Sequence, residues 1–183
     1  MHASPNRDGL TAAAAAAAAG AIRAAGPEVE EVRLNDLDLQ HCQACNNGWG
    51  TCRESQRCCQ DDAFPALHRR VVAADALVLV TPVYFGEPSE SMKAFMDRLR
   101  RCEAPLGSRP GGLAGKPMLI VAAAGGSGNG AVHCLRMMER WMEHVGAKKH
   151  DFIGITRFIR AYRLPQIAEA ARAMVAESAA GAG

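Results

Sequence analysis

Two hydrophobic patterns alternate along the chain. Short runs rich in Val and Ile that end in Gly or Pro predict strands, and longer segments of helical period predict helices. The predicted strands are Glu30–Leu34, Ala76–Pro82, Pro117–Ala124 and Asp151–Thr156. The predicted helices are Leu10–Ala25, Ala63–Ala74, Ser89–Glu103, Ala131–Val145 and Pro165–Ser178. This alternation is typical of βα units around a parallel sheet and predicts the α/β class.

The first predicted helix has almost no strand in front of it. In a doubly wound sheet, the loop into the first helix normally follows a central strand. Here only residues 1–9 precede the helix, so we expect the first strand to be missing or truncated. A missing central strand would leave two unpaired edges, and the sheet would then close over the gap or borrow a strand from a partner.

Composition narrows the class of protein further. The 183 residues suit one domain, 1–183, and the 49% hydrophobic and 22% charged content argues against disorder and fibrous structure. No apolar run is suited to span a bilayer and no export signal opens the chain, which predicts a cytoplasmic protein without a membrane partner. The formal net charge of +2 argues against a nucleic-acid partner.

Polar residues gather just before the first predicted helix. The segment Ser4–Thr11 places two hydroxyls, an amide and a glycine where free backbone N–H groups and the helix dipole favour a phosphate. An ordinary N-cap loop explains the same residues, so both interpretations stay open on local sequence.

Two further loops follow predicted strands. Pro82–Gly86 contains two of the few aromatic residues at the carboxyl end of a buried strand, where open α/β sheets bind ligands. A planar ring system or a simple aromatic cap on the core would account for it. Gly125–Gly130 follows the next strand and offers a wall without side chains, a weak signal by itself.

Five of the seven cysteines lie between Cys42 and Cys59. The spacing Cys42-x2-Cys45-x6-Cys52-x5-Cys58-Cys59 supplies enough thiols for a tetrathiolate site in a predicted loop, an insert at about 41–60. A [4Fe-4S] cluster, a structural zinc ion and bare reduced thiols all remain possible from the residues alone. The other two, Cys102 and Cys134, fall on predicted helices as core or interface thiols.

Two of these segments carry a resemblance. Ser4–Thr11 resembles the S-P-R-x-x-G-N-T phosphate loop of the NADPH-dependent FMN reductase family, in the flavodoxin-like superfamily. Thr81–Arg98 resembles that family's S-P-V-Y-F-G-x-x-S-x-x-M-K-x-F-I-D-R segment. The resemblance runs in order from about Ala3 to about Thr156. It implies a flavodoxin-like three-layer sandwich whose parallel sheet has the order 2-1-3-4-5, with FMN at the switch point.

The resemblance also implies site residues. The phosphate of FMN would be held by Ser4, Asn6, Leu10 and Thr11. The isoalloxazine would be flanked by Pro82, Val83, Tyr84, Phe85, Gly86, Gly125, Gly126 and Gly128. Asn6 stands where the family usually has Arg, with Arg7 one place later, which leaves the charge partner of the phosphate open.

Iron–sulfur flavoproteins of the same superfamily carry a compact cysteine motif at the position of this insert. Their usual spacing is tighter, so Cys52 comes late here. The resemblance favours a [4Fe-4S] cluster on Cys42, Cys45, Cys52 and Cys58 over zinc or bare thiols.

The function that the resemblance implies is an FMN-dependent NAD(P)H oxidoreductase. A nicotinamide would reduce the flavin, and electrons would pass to a quinone, another flavin, a small electrophile or the cluster. The alternative is a flavodoxin-like electron carrier or redox sensor without a substrate of its own. Expected partners are a small-molecule electron acceptor or a redox protein, and a second or further copies in a homodimer or homotetramer.

Overall fold

Three parallel strands form the main part of the sheet. The computed structural model describes residues 1–48, 50–105 and 108–180, without the side chains of 178–180. Its strands are β1 (Leu77–Tyr84), β2 (Glu87–Pro88), β3 (Pro117–Ala124) and β4 (Lys148–Thr156). β1 and β4 lie on either side of β3 and run parallel to it, whereas β2 pairs antiparallel with β1. β1 and β3 are mainly apolar and buried because helices cover both faces of the sheet.

Residues 1–3 lie in the sheet at the position expected for the first strand. His2 bridges in parallel to Val80 on one side and to Arg33 on the other. Four backbone hydrogen bonds of 2.9–3.0 Å join residues 1–3 to Val32, Leu34 and Val80. The spatial order is therefore residue 33, residue 2, β1, β3 and β4, which is the expected 2-1-3-4-5 order.

The prediction of a full strand over Glu30–Leu34 is wrong. Among the described residues of that segment, only Arg33 forms a β-bridge, and a 3₁₀ turn (Leu34–Asp36) follows at once. The physical reason is the short neighbour: three residues provide too few partners for a five-residue ladder.

The helices form the two outer layers. They are α1 (Leu10–Ala24), α2 (Cys45–Gly48), α3 (Thr51–Ser55), α4 (Phe64–Ala73), α5 (Glu90–Cys102), α6 (Ala131–His144) and α7 (Arg160–Ala180). One apolar cluster joins α1 and α7 to one face of the sheet, and a second joins α4, α5 and α6 to the other. The layered sandwich is thus confirmed, and no described helix has the length and apolar content needed to cross a membrane.

Two predicted boundaries were too late. β4 begins at Lys148, because Lys148 and Lys149 still pair with the start of β3. α7 begins at Arg160 and carries Pro165 inside it, whereas proline usually marks a helix start. A 3₁₀ turn (Arg157–Ile159) runs directly into this helix.

Small side chains form the inward face of α1. Its buried positions include Ala14, Ala15, Ala18 and Ala19, and the first three belong to the apolar cluster that α1 forms with α7, β1 and β3. On the opposite face of the sheet, the methionines of α5 and α6 lie in the core, and Trp141 Nε1 donates to the carbonyl oxygen of Met96 at 2.9 Å. Core packing is therefore their role in this structure.

Candidate functional site

The start of α1 presents backbone N–H groups at the carboxyl edge of the sheet. Gly9 is the N-cap and no side chain caps the helix; the first helical bond runs from Ala13 N to Gly9 O at 3.0 Å. The amides of residues 10–12 precede that bond and carry the positive end of the dipole. Ser4 and Thr11 are buried beside them, and Ser4 Oγ accepts a hydrogen bond from Asn6 N at 3.2 Å. Anions are favoured at such a helix start.

Arg7 is held by a carboxylate. Its Nη2 lies 2.8 Å from Asp36 Oδ1, in an exposed ion pair. Arg33 also pairs with Asp36, and its Nη2 donates to Pro5 O at 2.7 Å. These contacts hold the loop before α1 in place. The sequence left open which cation would pair with the phosphate, and in this structure Arg7 pairs with Asp36.

A tight hairpin closes β1. Val83 pairs with Pro88 and Tyr84 with Glu87, which leaves Phe85 and Gly86 as the two turn residues. Their φ angles are +52° and +86°, the left-handed pair of a type I′ turn. Phe85 is fully exposed, and a bulky residue at positive φ is an uncommon, strained choice.

Pro82 and Val83 lie within β1 and not in the loop, because the strand runs two residues beyond its predicted end. Tyr84, half exposed, is the last strand residue before the turn.

The glycine loop approaches this hairpin backbone to backbone. A Cβ on Gly130 would lie 2.6 Å from Gly86 Cα and 3.0 Å from Gly86 N. Gly130 also has a φ of +80°, so only glycine suits this contact without strain. A Cβ on Gly125 or Gly126 would meet no described atom within 4 Å, which makes that stretch an open wall. Gly130 belongs to the glycine loop expected from the sequence, but its contact with Gly86 was not predicted.

Ser89 joins residues 1–3, β1 and the start of α5. Its N–H donates to Thr81 Oγ1 at 3.1 Å, and its Oγ donates to Ala3 O at 3.2 Å. Ala3, the middle of β1 and the start of α5 are therefore fixed to one another. The loops that follow residues 1–3, β1 and β3 lie at one edge, as parallel strands require.

A second group of functional side chains lies in the cysteine insert. One small pocket is lined by Cys42, Cys45, Cys52, Cys58, Cys59, Arg98 and Arg101, among others. Left-handed residues Asn46 and Asn47 turn the chain between the thiols. A Cβ on Gly50 would lie 2.9 Å from Cys45 Cβ, so glycine is needed there. Trp49 lies outside the described residues.

The thiols surround the pocket without converging. Cys45 Sγ and Cys59 Sγ lie 3.8 Å apart, and that contact raises the pKa of Cys45. Burial raises the pKa of Cys52. Within the described ranges, no three His, Cys, Asp or Glu side chains are placed to hold one metal ion. The pocket measures about 20 Å³, room for about one water molecule. Cys59 lines the pocket together with the four cysteines that the sequence predicted as ligands.

Arg98 anchors the insert to α5. Its guanidinium forms a buried ion pair with Asp62, and both side chains are 1% exposed. It also donates to Gln40 O at 3.1 Å and to Cys58 Sγ at 3.2 Å, and it stacks 4.2 Å above the Phe64 ring. Burial alone would raise the pKa of Asp62, but hydrogen bonds from Arg98 and from Gln40 N bring it below its usual value. This role of Arg98 was not predicted, although Arg98 is the last residue of the segment Thr81–Arg98 that carries the family resemblance.

The two remaining cysteines are core residues. Cys102 and Cys134 are fully buried, and burial raises the pKa of Cys134 to about 12. His41, which precedes the first cysteine, is exposed.

Comparisons with known proteins agree with this arrangement. A sequence profile described as NADPH-dependent FMN reductase matches residues 1–149. An iron–sulfur flavoprotein of Archaeoglobus fulgidus is 31% identical over 140 residues, 75% of this chain and 60% of that protein. The chain thus spans less than two thirds of that relative's length.

Two solved structures share the fold at low identity. The NAD(P)H:quinone oxidoreductase of Methanothermobacter marburgensis has a TM-score of 0.71 at 19% identity, covering 93% of this chain and 92% of its own. Two-electron reduced Megasphaera elsdenii flavodoxin has a TM-score of 0.59 at 19% identity, covering 94% and 96%. The fold is flavodoxin-like, and the chain belongs to the NADPH-dependent FMN reductase family.

Proposed function

We propose that the protein binds FMN across the three loops and works as an NAD(P)H-dependent oxidoreductase. The observation that carries the proposal is the meeting of an uncapped helix start, an aromatic hairpin and an open glycine wall at one sheet edge. The family match supports the same cofactor.

The phosphate of FMN fits the start of α1. Amides of Leu10, Thr11 and Ala12 would donate to its oxygens, and no acidic side chain stands in the first turn to repel it. The hydroxyls of Ser4 and Thr11 are buried at the same place. Asn6 is exposed beside them, and Leu10 is half-buried.

The isoalloxazine fits between the hairpin and the glycine wall. Phe85 and Tyr84 offer exposed aromatic surface, and Gly125 and Gly126 leave open space where side chains would otherwise stand. The ring supplies two-electron and one-electron transfer when bound. The residues here would position the ring and would offer backbone N–H groups to its heteroatoms.

The electron donor and acceptor follow from the same proposal. We propose a reduced nicotinamide dinucleotide as donor and a small-molecule acceptor or redox protein as acceptor. The exposed hairpin supports this choice of donor and acceptor, because it leaves one side of the site accessible.

We also propose that the protein forms a homodimer or homotetramer. Light scattering of the purified protein measures the mass of the assembly.

Anaerobic titration tests the proposal. Apoprotein should quench FMN fluorescence at a 1:1 ratio, and Thr11→Val should weaken binding about tenfold or more, the effect of losing roughly 1.4 kcal/mol. Ala16→Ser, on the exposed side of α1, is the matched control and should bind like the parent.

NADPH or NADH alone should then bleach the bound flavin rapidly. A flavin that stays oxidised until a reductase is added would assign the protein to electron carriers. Failure to bind FMN would overturn the proposal entirely.

For the cysteine pocket we propose an iron–sulfur cluster on Cys42, Cys45, Cys52 and Cys58. The soft donors and the neighbouring guanidinium of Arg98 suit an anionic cluster, and the relative from Archaeoglobus fulgidus is named an iron–sulfur flavoprotein. As it stands, the pocket is too small, so cluster uptake requires the insert to open.

Iron and acid-labile sulfide assays on anaerobically purified protein test this. About four of each per chain would support a [4Fe-4S] cluster. Zinc alone, or seven titratable thiols in the unfolded protein without metal, would refute it.

A further inference from the structure

The cysteine insert holds one more thiol than the proposed cluster uses. Cys59 lines the same pocket as the four proposed ligands but does not belong to that set. Its side chain is exposed, whereas the other cysteines are partly or fully buried. The reactivity of a thiol depends on its access to solvent, so a reactant from solution reaches Cys59 more easily than the other thiols.

The neighbour of Cys59 in space is Cys45. Their sulfur atoms lie 3.8 Å apart, although 14 positions separate the two residues along the chain. Ala44 and Asn46, on either side of Cys45, both have a left-handed backbone, with φ angles of +46° and +49°. A disulfide bond is about 2.05 Å long, so the two sulfur atoms would have to approach each other by about 2 Å. Changes of side-chain rotamer in this insert can provide a movement of that size.

Other pairings of Cys59 or Cys45 are less suited to a disulfide. Cys58 is adjacent to Cys59, and consecutive Cα atoms lie about 3.8 Å apart, below the roughly 4.4–6.8 Å that disulfides span. Cys58 Sγ also accepts a hydrogen bond from Arg98 Nη2 at 3.2 Å, which holds it towards the buried ion pair. Cys102 is fully buried in the core.

We propose that Cys45 and Cys59 form a reversible thiol–disulfide site that hydrogen peroxide oxidises. The sulfur of Cys59 attacks one peroxide oxygen and the O–O bond breaks, which gives a sulfenic acid and one water molecule. The sulfur of Cys45 then attacks the sulfenic sulfur, so that the S–S bond forms and the S–O bond breaks. A second water molecule leaves. The two thiols lose two electrons in total, and the peroxide gains them.

Oxidation of this pair would change the donors of the pocket. A metal or cluster binds the thiolate form of cysteine, so the disulfide would take Cys45 out of the proposed ligand set and leave Cys42, Cys52 and Cys58. This consequence rests on the proposed cluster. The disulfide itself needs only the two thiols, and cluster-free protein therefore tests it separately.

Peptide mass mapping of cluster-free, reduced protein tests the site. After treatment with one equivalent of hydrogen peroxide, the protein should lose two of its seven thiols and the mass of two hydrogen atoms. Digestion without reductant should give one linked pair of peptides that contains Cys45 and Cys59, and dithiothreitol should restore both thiols. Cys59→Ser should lose thiols at least tenfold more slowly than the parent. Cys42→Ser, the matched control from the same pocket, should form the same link at the parent's rate.

A link between any other two cysteines would overturn the proposal. Loss of thiols from Cys59→Ser at the parent's rate would overturn it too, as would a product that dithiothreitol does not reverse. Iron and sulfide assays on separate anaerobic samples decide the cluster, so a missing cluster and a missing disulfide are different results.

Discussion

Replacing Arg98 by methionine removes a buried cation and keeps much of its aliphatic volume. Asp62 would then be left 1% exposed without its ion-pair partner, retaining hydrogen bonds from Gln40 N at 2.8 Å and Phe64 N at 3.0 Å. Breaking a buried pair in this way costs about 3–5 kcal/mol. In a domain of this size, that corresponds to a fall in thermal midpoint of roughly 6–20 °C.

Urea unfolding of Arg98→Met measures the free-energy loss directly, with the slope checked against the parent. The matched variant is the double change Arg98→Met with Asp62→Asn, which also removes the stranded carboxylate and should recover part of the loss. A loss below about 1 kcal/mol would refute the reasoning, since exposed pairs fall in that range. A double variant as unstable as the single one would refute it too.

Three further outcomes are expected. Gly130→Ala should weaken FMN binding and destabilise the fold by roughly 1–3 kcal/mol, because its Cβ would clash with Gly86; fluorescence titration and urea unfolding measure both. Glu103→Gln should flatten the acid limb of stability: burial would raise the Glu103 pKa, but the hydrogen bond with His68 and those from backbone N–H groups lower it, so its contribution disappears as pH falls through that lowered value. The free energy of unfolding should rise by roughly 2 kcal/mol from pH 6 to 8, because burial lowers the pKa of the Met1 ammonium to about 6 in the folded protein and the neutral amine is the form that folding favours; amino-terminal acetylation should abolish that rise in pH-dependent melting.

Much of the fold was predictable because the period at which hydrophobic residues recur indicates the type of each element and its buried face. β3 was predicted to the residue, and four helices were predicted with both of their boundaries within one residue. The ladder beside residues 1–3 was not predictable, since the extent of Glu30–Leu34 depends on a neighbour from elsewhere in the chain. The predicted start of α7 at Pro165 was wrong for a similar reason. Proline is locally a helix-start signal, but tertiary packing extends the helix back to Arg160.

The parts of the site that depend on local backbone structure were predictable from the sequence. The loop position of Ser4 follows from the predicted start of the first helix, and that of Phe85 follows from the end of a predicted strand. Contacts between distant elements were not predictable: nothing local indicates that Gly130 meets Gly86, or that Arg98 reaches Asp62 across 36 residues.

The alanines on the inward face of α1 set the distance between this helix and the elements packed against it. With alanines at the contact, a helix axis lies at the short end of the usual 8–10 Å range from its neighbour. The height of the amides at the start of that helix above the sheet therefore depends on these methyl groups. Larger side chains at Ala14 or Ala18 would move the helix away from its neighbours and would shift the amides that we propose to bind the phosphate. The alanines on the inward face of α1 thus help to set the distance between the sheet and the start of the helix, several residues away from them.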